Sequence, residues 1–218
     1  MKIETLTTHY MESHSYLLIE DGHAVIIDPG DADLLSECIE KEQLVVDFGI
    51  LTHEHCDHTA ACSEIQRKYQ CKMISSYACD TNLNDQRKNL SRYYAGLVAV
   101  QGRLKQEEQK EIKPYSAKAD LMFKDELKIR WQGHSIECRE TPGHSEGSIC
   151  ILIDDEWLFS GDSLMWGEKA NTRFKGGSEA AYRDITLPWL LTLNGELKVF
   201  AGHKEPFILK DRLQSPVL

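Results

Sequence analysis

Thr52-His53-Glu54-His55-Cys56-Asp57-His58 is the stretch on which the reading of this 218-residue chain turns. Three histidines and an aspartate fall within six residues, directly after the apolar run Phe48-Gly49-Ile50-Leu51. Imidazole nitrogens and carboxylate oxygens are the donors that zinc and similar divalent metals take. Helical side chains share a face at steps of three or four, so His-x-His-x-Asp-His cannot place all four donors on one helix face. The spacing predicts a loop that leaves a buried strand and turns its donors toward one point. Cys56 reads as a neutral spacer within it.

Three downstream segments repeat the same grammar, an apolar strand and then a Gly-marked turn that delivers a His or an Asp. They are Thr141-Pro142-Gly143-His144, Ser160-Gly161-Asp162 and Ala201-Gly202-His203. Glycine permits a sharp backbone turn where a side chain would obstruct a site. Asp28-Pro29-Gly30 likewise ends a strand. His9, His14 and His23 lack ligand spacing and read as structural.

Around these segments the pattern is α/β. Ser15–Glu20 and His23–Asp28 read as strands joined by an Asp21-Gly22 hairpin turn. Asp31 or Asp33 can cap a helix carrying Leu34, Leu35, Cys38 and Ile39 on one face. Val45–Leu51 is a strand, Thr59–Tyr69 a helix, and Lys72–Ser75 a strand again. Strand alternating with helix suggests a layered α/β domain. Residues 77–118 interrupt the rhythm as a polar, helical insertion, expected to lie over the active site and to carry Tyr93 and Tyr94 toward substrate. The charge run Lys105–Lys113 within it reads as a solvated helix face. Strands then return at 121–123, 127–131, 135–139, 149–153 and 157–161. A helix from Glu179 sets Ala181, Ile185, Trp189 and Leu193 on one face, with Pro188 a kink. A last strand at 197–201 leads to His203.

Composition bounds the function. Apolar residues are 41% and charged residues 28% of the chain, ordinary for a soluble single domain spanning 1–218. A net charge of −10 disfavours a nucleic-acid partner. No signal peptide or membrane span is visible, and seven cysteines without a Cys-x-x-Cys pair suit a reducing compartment. These features predict a cytoplasmic protein with a small-molecule substrate and no membrane partner. They leave the oligomeric state open.

From Asp28-Pro29-Gly30 to Gly202-His203 the motifs resemble those of the metallo-β-lactamase fold superfamily, and within it the glyoxalase II-like (hydroxyacylglutathione hydrolase-like) metallo-hydrolases. The resemblance implies an αββα sandwich of two mixed β-sheets flanked by helices, with the metal site at one edge of the sheets. It implies that His53, His55 and His144 hold one metal, that Asp57, His58 and His203 hold a second, and that Asp162 bridges them. After the last His this chain has Lys204-Glu205-Pro206 where the family has a Gly and a Pro-containing turn. The short remainder of the chain predicts that the extra glutathione-binding helical domain of true glyoxalase II is absent.

The chemistry agrees with the ligand count. Seven donors exceed one tetrahedral zinc and suit two metals about 3.5–4 Å apart, with a hydroxide between them able to attack an ester, thioester or lactone. Zinc is the first expectation, with iron or manganese possible. Asp57 is expected to orient that hydroxide as the catalytic carboxylate. Lys169 and Arg173 follow the bridging Asp and could meet an anionic substrate group. Glu54 and Glu146 read as supporting or solvent-facing. The alternatives are a β-lactamase-type amide hydrolase, a mononuclear iron oxygenase of the persulfide dioxygenase kind, and a non-enzymatic member.

Overall fold

The structure is a computed structural model and describes residues 1–101 and 111–215. The chain divides into two compact units, Met1–Ser75 with Cys79–Met122, and Ser76–Ala78 with Phe123–Leu218.

The first unit is built on a six-stranded mixed sheet. Its spatial order follows the chain: β1 (Lys2–Thr7), β2 (His14–Glu20), β3 (His23–Ile27), β4 (Val45–Ile50), β5 (Lys72–Ser76) and β6 (Leu121–Phe123). The β2–β3 hairpin turns at Asp21 and Gly22, whose φ values of 49° and 78° are the left-handed pair that a two-residue hairpin needs. Strands β3, β4 and β5 are parallel, so helices must carry the chain back between them. Helix α1 (Ala32–Lys41) makes the first return and is capped by Asp31, whose carboxylate accepts from the Asp33 and Leu34 amides. Helices α2 (Cys56–Thr59) and α3 (Cys62–Tyr69) make the second. Leu35 and Ile39 of α1 and Ile65 of α3 pack with Leu17, Ile26 and Met73 of the sheet. The alternate residues Tyr16, Leu18, Val25 and Ile27 are buried as well, so these strands read as unbroken apolar runs.

The insertion carries α4 (Tyr77–Leu83), a 3-10 turn at Ser91–Tyr93 and α5 (Tyr94–Gln101). The helix expected over Lys105–Lys113 falls largely outside the described residues, and residues 111–113 are irregular.

The second unit has its own six-stranded mixed sheet, ordered β12 (Phe207–Ile208), β11 (Lys198–Ala201), β10 (Trp157–Gly161), β9 (Ile149–Ile153), β8 (His134–Glu140) and β7 (Glu126–Trp131). Neighbours are antiparallel except β10 and β11, which are parallel. Both β8 and β10 run opposite to β9, so β8, β10 and β11 all point the same way. Their C-terminal ends, which lead to His144, Asp162 and His203, therefore share one edge of the sheet. In the first unit, parallel β3 and β4 bring Asp28 and His53 to a common edge in the same manner.

The structure corrects one expected element. The helix from Glu179 is not continuous: α6 (Glu179–Ala181) passes through a π-turn at Tyr182–Thr186 into α7 (Leu187–Leu190). The wider turn shifts the register, so Thr186 and Leu190 are buried while Ile185 is 52% exposed. Strands β1 and β12 and helix α8 (Leu209–Leu213) are elements the sequence pattern did not announce. Leu190 and Leu209 cover Leu158, Val199 and Ala201 of the second sheet. Each unit is thus a mixed sheet flanked by helices.

Candidate metal centre

In the first unit the donors are oriented by Asp28. This residue ends β3 in the left-handed region, at φ 54°, and is buried. One carboxylate oxygen accepts from the Thr52 amide at 2.6 Å. The other accepts from the Thr52 hydroxyl at 2.6 Å and faces His58 Nδ1 at 3.1 Å. A carboxylate can only accept, so His58 Nδ1 carries the proton and Nε2 keeps a lone pair. Thr52 has one hydroxyl hydrogen, already given to Asp28, so toward His53 Nδ1 at 3.0 Å its oxygen accepts. That leaves the lone pair of His53 on Nε2 as well. One buried aspartate sets the tautomer of two imidazoles, one directly and one through a threonine.

The rings of His53, His55 and His58 cluster, with centroids 4.6 Å apart for His53–His55 and 4.4 Å for His53–His58. All three and Asp57 are buried. The motif is not a loop throughout, as its spacing suggested. Asp57 and His58 lie in the single turn of α2, and His55 stands extended as its N-cap residue. The helical turn brings Asp57 Oδ2 to 3.6 Å from His58 Nε2. Asp57 is anchored through its carbonyl, which accepts from the Ser13 hydroxyl at 2.7 Å. Gly30 closes the other side, where an added Cβ would stand 2.5 Å from that carbonyl.

Neighbours of the motif divide cleanly. Glu54 is fully buried and accepts from Asn82 Nδ2 at 2.9 Å, whereas Glu146 is exposed. Burial, and then the Asp57 charge, push the Cys56 thiol well above its ordinary pKa, as suits an inert spacer. Of the two tyrosines, Tyr94 is buried and Tyr93 is 48% exposed. The Tyr94 hydroxyl has no hydrogen-bond partner among the described residues. Burial first, and the Asp57 charge second, raise its pKa above the usual phenol range.

The second unit gathers His144, Asp162 and His203. His144 Nδ1 lies 2.9 Å from the Asn171 carbonyl, so it donates there and its lone pair is on Nε2. That Nε2 stands 3.5 Å from Asp162 Oδ2, and His203 Nε2 stands 3.6 Å from the same oxygen. Gly143 makes the approach possible: its φ is 150°, and a Cβ would lie 2.6 Å from Cβ of Tyr182. Lys169 and Arg173 do not flank these donors directly in the chain. They line a cavity of about 600 Å³ together with Arg212, which the sequence reading overlooked.

The donor geometry fits divalent metals. Two ligand atoms each about 2.0–2.1 Å from one tetrahedral ion should be about 3.3–3.4 Å apart. The separations of 3.5 Å and 3.6 Å around Asp162 Oδ2, and of 3.6 Å between Asp57 and His58, are near that value. They are also too long for hydrogen bonds. Ligand atoms of Asp28, His53 and His58 also lie within 4.8 Å of one another. The three hydrogen-bonding groups already facing Asp28 make it the residue that orients histidines, not one that binds metal.

Known proteins resemble the chain in sequence and in fold. The chain is 27% identical over its full length to the probable metallo-hydrolase YqgX of Bacillus subtilis strain 168, covering 98% of that protein. It is 26% identical to a hydroxyacylglutathione hydrolase of Francisella tularensis subsp. novicida strain U112, over 88% of this chain and 63% of that relative's length. Among solved structures, the BLEG-1 B3 metallo-beta-lactamase superposes with a TM-score of 0.81 at 24% identity, covering 98% of this chain and 97% of that one. The di-iron-bound form of TTHA1623 superposes at 0.77 and 21% identity, over 99% and 100% of the two chains. No helix among the described residues is long and apolar enough to cross a membrane. With the superfamily's model matching residues 11–203, the chain belongs to the metallo-beta-lactamase superfamily.

Proposed function

We propose that the two donor sets together hold two divalent metal ions and that the chain is a hydrolase of a small ester, thioester or lactone. His53, His55 and His144 would hold one ion and Asp57, His58 and His203 the other, with Asp162 shared. The observation that carries this reading is the placing of Asp162 Oδ2 at nearly equal distances from the imidazoles of His144 and His203, which the scheme assigns to different ions. When bound, such ions supply Lewis acidity toward a carbonyl oxygen and bring the pKa of water toward neutrality.

The remaining work falls to the chain's own residues. Asp28, Thr52 and the Asn171 carbonyl hold three imidazoles in the tautomer with Nε2 free. Asp57 accepts a hydrogen bond from the attacking water and orients it toward the carbonyl carbon. The buried walls around the three motif histidines restrict bulk water and so strengthen these polar contacts. A thioester is the first substrate class, because the Francisella relative is a hydroxyacylglutathione hydrolase. Zinc is the first metal, and the di-iron neighbour makes iron the second. None of the seven cysteines forms a disulfide, which supports a reducing, cytoplasmic setting.

A second reading, amide hydrolysis of the β-lactamase kind, is favoured by the overlap with the B3 enzyme along nearly the whole chain. A panel of thioesters, lactones, cephalosporins and phosphodiesters, assayed with zinc-loaded and iron-loaded protein, separates these readings. The expected result is turnover of thioesters or lactones that is lost in Asp57→Asn. Dioxygen uptake with a persulfide by the iron form alone, without hydrolysis of any ester, would overturn the hydrolase reading.

A further inference from the structure

Arg212 on helix α8 is 1% exposed, yet it meets no carboxylate among the described residues. Its Nε donates to the Met165 carbonyl at 2.6 Å and its Nη2 to the Glu168 carbonyl at 2.7 Å. The third nitrogen, Nη1, is buried without a hydrogen-bond partner among the described residues. Two neutral carbonyls anchor the loop but leave the guanidinium charge uncompensated, and charge buried in that way is normally matched by an anion. Burial also pulls the Arg212 pKa below its usual value.

The same arginine lines the cavity of about 600 Å³, a size typical of small-metabolite sites. Charges around the cavity do not cancel. Arg183 is spent on a bidentate pair with Asp184 at 2.7 and 2.9 Å, and Glu168 is paired with Lys204. That leaves Lys169, Arg173 and Arg212 against Glu179 as cavity charges with no ion pair among the described residues. We infer that this cavity is a binding site for a small organic anion, a carboxylate or a phosphate, with Arg212 as its buried charge and Lys169 and Arg173 at its mouth. The guanidinium fork matches both groups, and three positive side chains around one concavity concentrate anions there. The wall of the cavity includes Asn171, whose carbonyl holds His144, so the occupant lies against the loop that orients a metal-site histidine.

A structural latch is the competing explanation, in which Arg212 only ties down residues 165–168. The full metal-loaded chain, labelled with nitrogen-15, distinguishes the two when inorganic phosphate and succinate are titrated separately while the Arg212 Nε–H resonance is followed. The resonance is identified by its loss in Arg212→Lys, or by its protection from exchange if that variant does not fold. The anion site predicts a saturable shift with at least one probe, and whichever binds more tightly identifies the group. The double variant Lys169→Glu/Arg173→Glu changes only partly or fully exposed loop side chains. It should weaken that binding about tenfold or more, the scale of one lost charge-assisted hydrogen bond. A resonance that neither probe moves, or a shift of equal affinity in the double variant, overturns the proposal. Metal content measured on the same samples keeps this outcome separate from the hydrolase reading.

Discussion

Asp28 shows how much of the candidate metal centre lies behind the candidate ligands. Its carboxylate is within 3.1 Å of the Thr52 amide, the Thr52 hydroxyl and His58 Nδ1, and all three meet it as donors. Asn also tolerates the left-handed backbone at this position, so Asp28→Asn tests the charge and the acceptor with little strain. The variant should stay folded and lose about 10–100-fold in metal affinity, the usual effect of removing a carboxylate behind a ligating histidine. Competition with a chromophoric chelator measures it, and an unchanged affinity would show that Asp28 does not tune the site. The candidate ligands were legible in the sequence because four donors crowd into six residues and three more follow Gly-marked strand ends. The layer behind them was not. Thr52 is an unremarkable side chain, Asn171 contributes only a carbonyl, and the fold alone brings Asp28 to a partner 24 positions away.

At the level of elements, the turn that carries His144 is braced from the π-turn region. The hydroxyl of Thr186, itself fully buried, donates to the half-buried Pro142 carbonyl at 2.7 Å. Thr186→Val keeps the shape but leaves that carbonyl without its donor, and should cost about 1–3 kcal/mol of stability. Urea denaturation reads this as a lower midpoint with an unchanged slope. A variant as stable as the parent would mean that the brace carries no net energy. This region also shows where pattern reading failed. Steps of four predicted one helix with Ile185 inward, but a π-turn adds a residue to the turn and moves Ile185 outward. The β2–β3 hairpin was readable because Asp21-Gly22 takes the backbone that the turn requires. Strand β1 was not, since exposed and half-buried residues follow one another along it without regular alternation, and β12 has only two residues. Helix α2 hid inside the motif because a single turn has no periodicity to detect.

For the molecule as a whole, burial governs the reactivity of the thiols. Six of seven cysteines are buried and Cys38 is half-buried. Burial pushes Cys62, Cys138 and Cys150 up to about 12 and Cys71 up to about 11. An aromatic disulfide reagent at mildly alkaline pH should therefore label Cys38 slowly in the native protein and all seven only after denaturation. Rapid labelling of several thiols in the native state would contradict the packing. The family assignment was readable from motifs spread over nearly the whole chain, and the superfamily match over residues 11–203 bears it out. The substrate was not legible, because donors of this kind would hold an electrophilic centre without specifying what is presented to it. A shared Asp162 requires two bound ions per chain. Metal content at saturation, determined by mass spectrometry on wild type and on Asp162→Ala, tests it most directly. Two ions per wild-type chain and a clear loss in the variant are expected. Saturation at a single ion, or full retention of metal by Asp162→Ala, would contradict it.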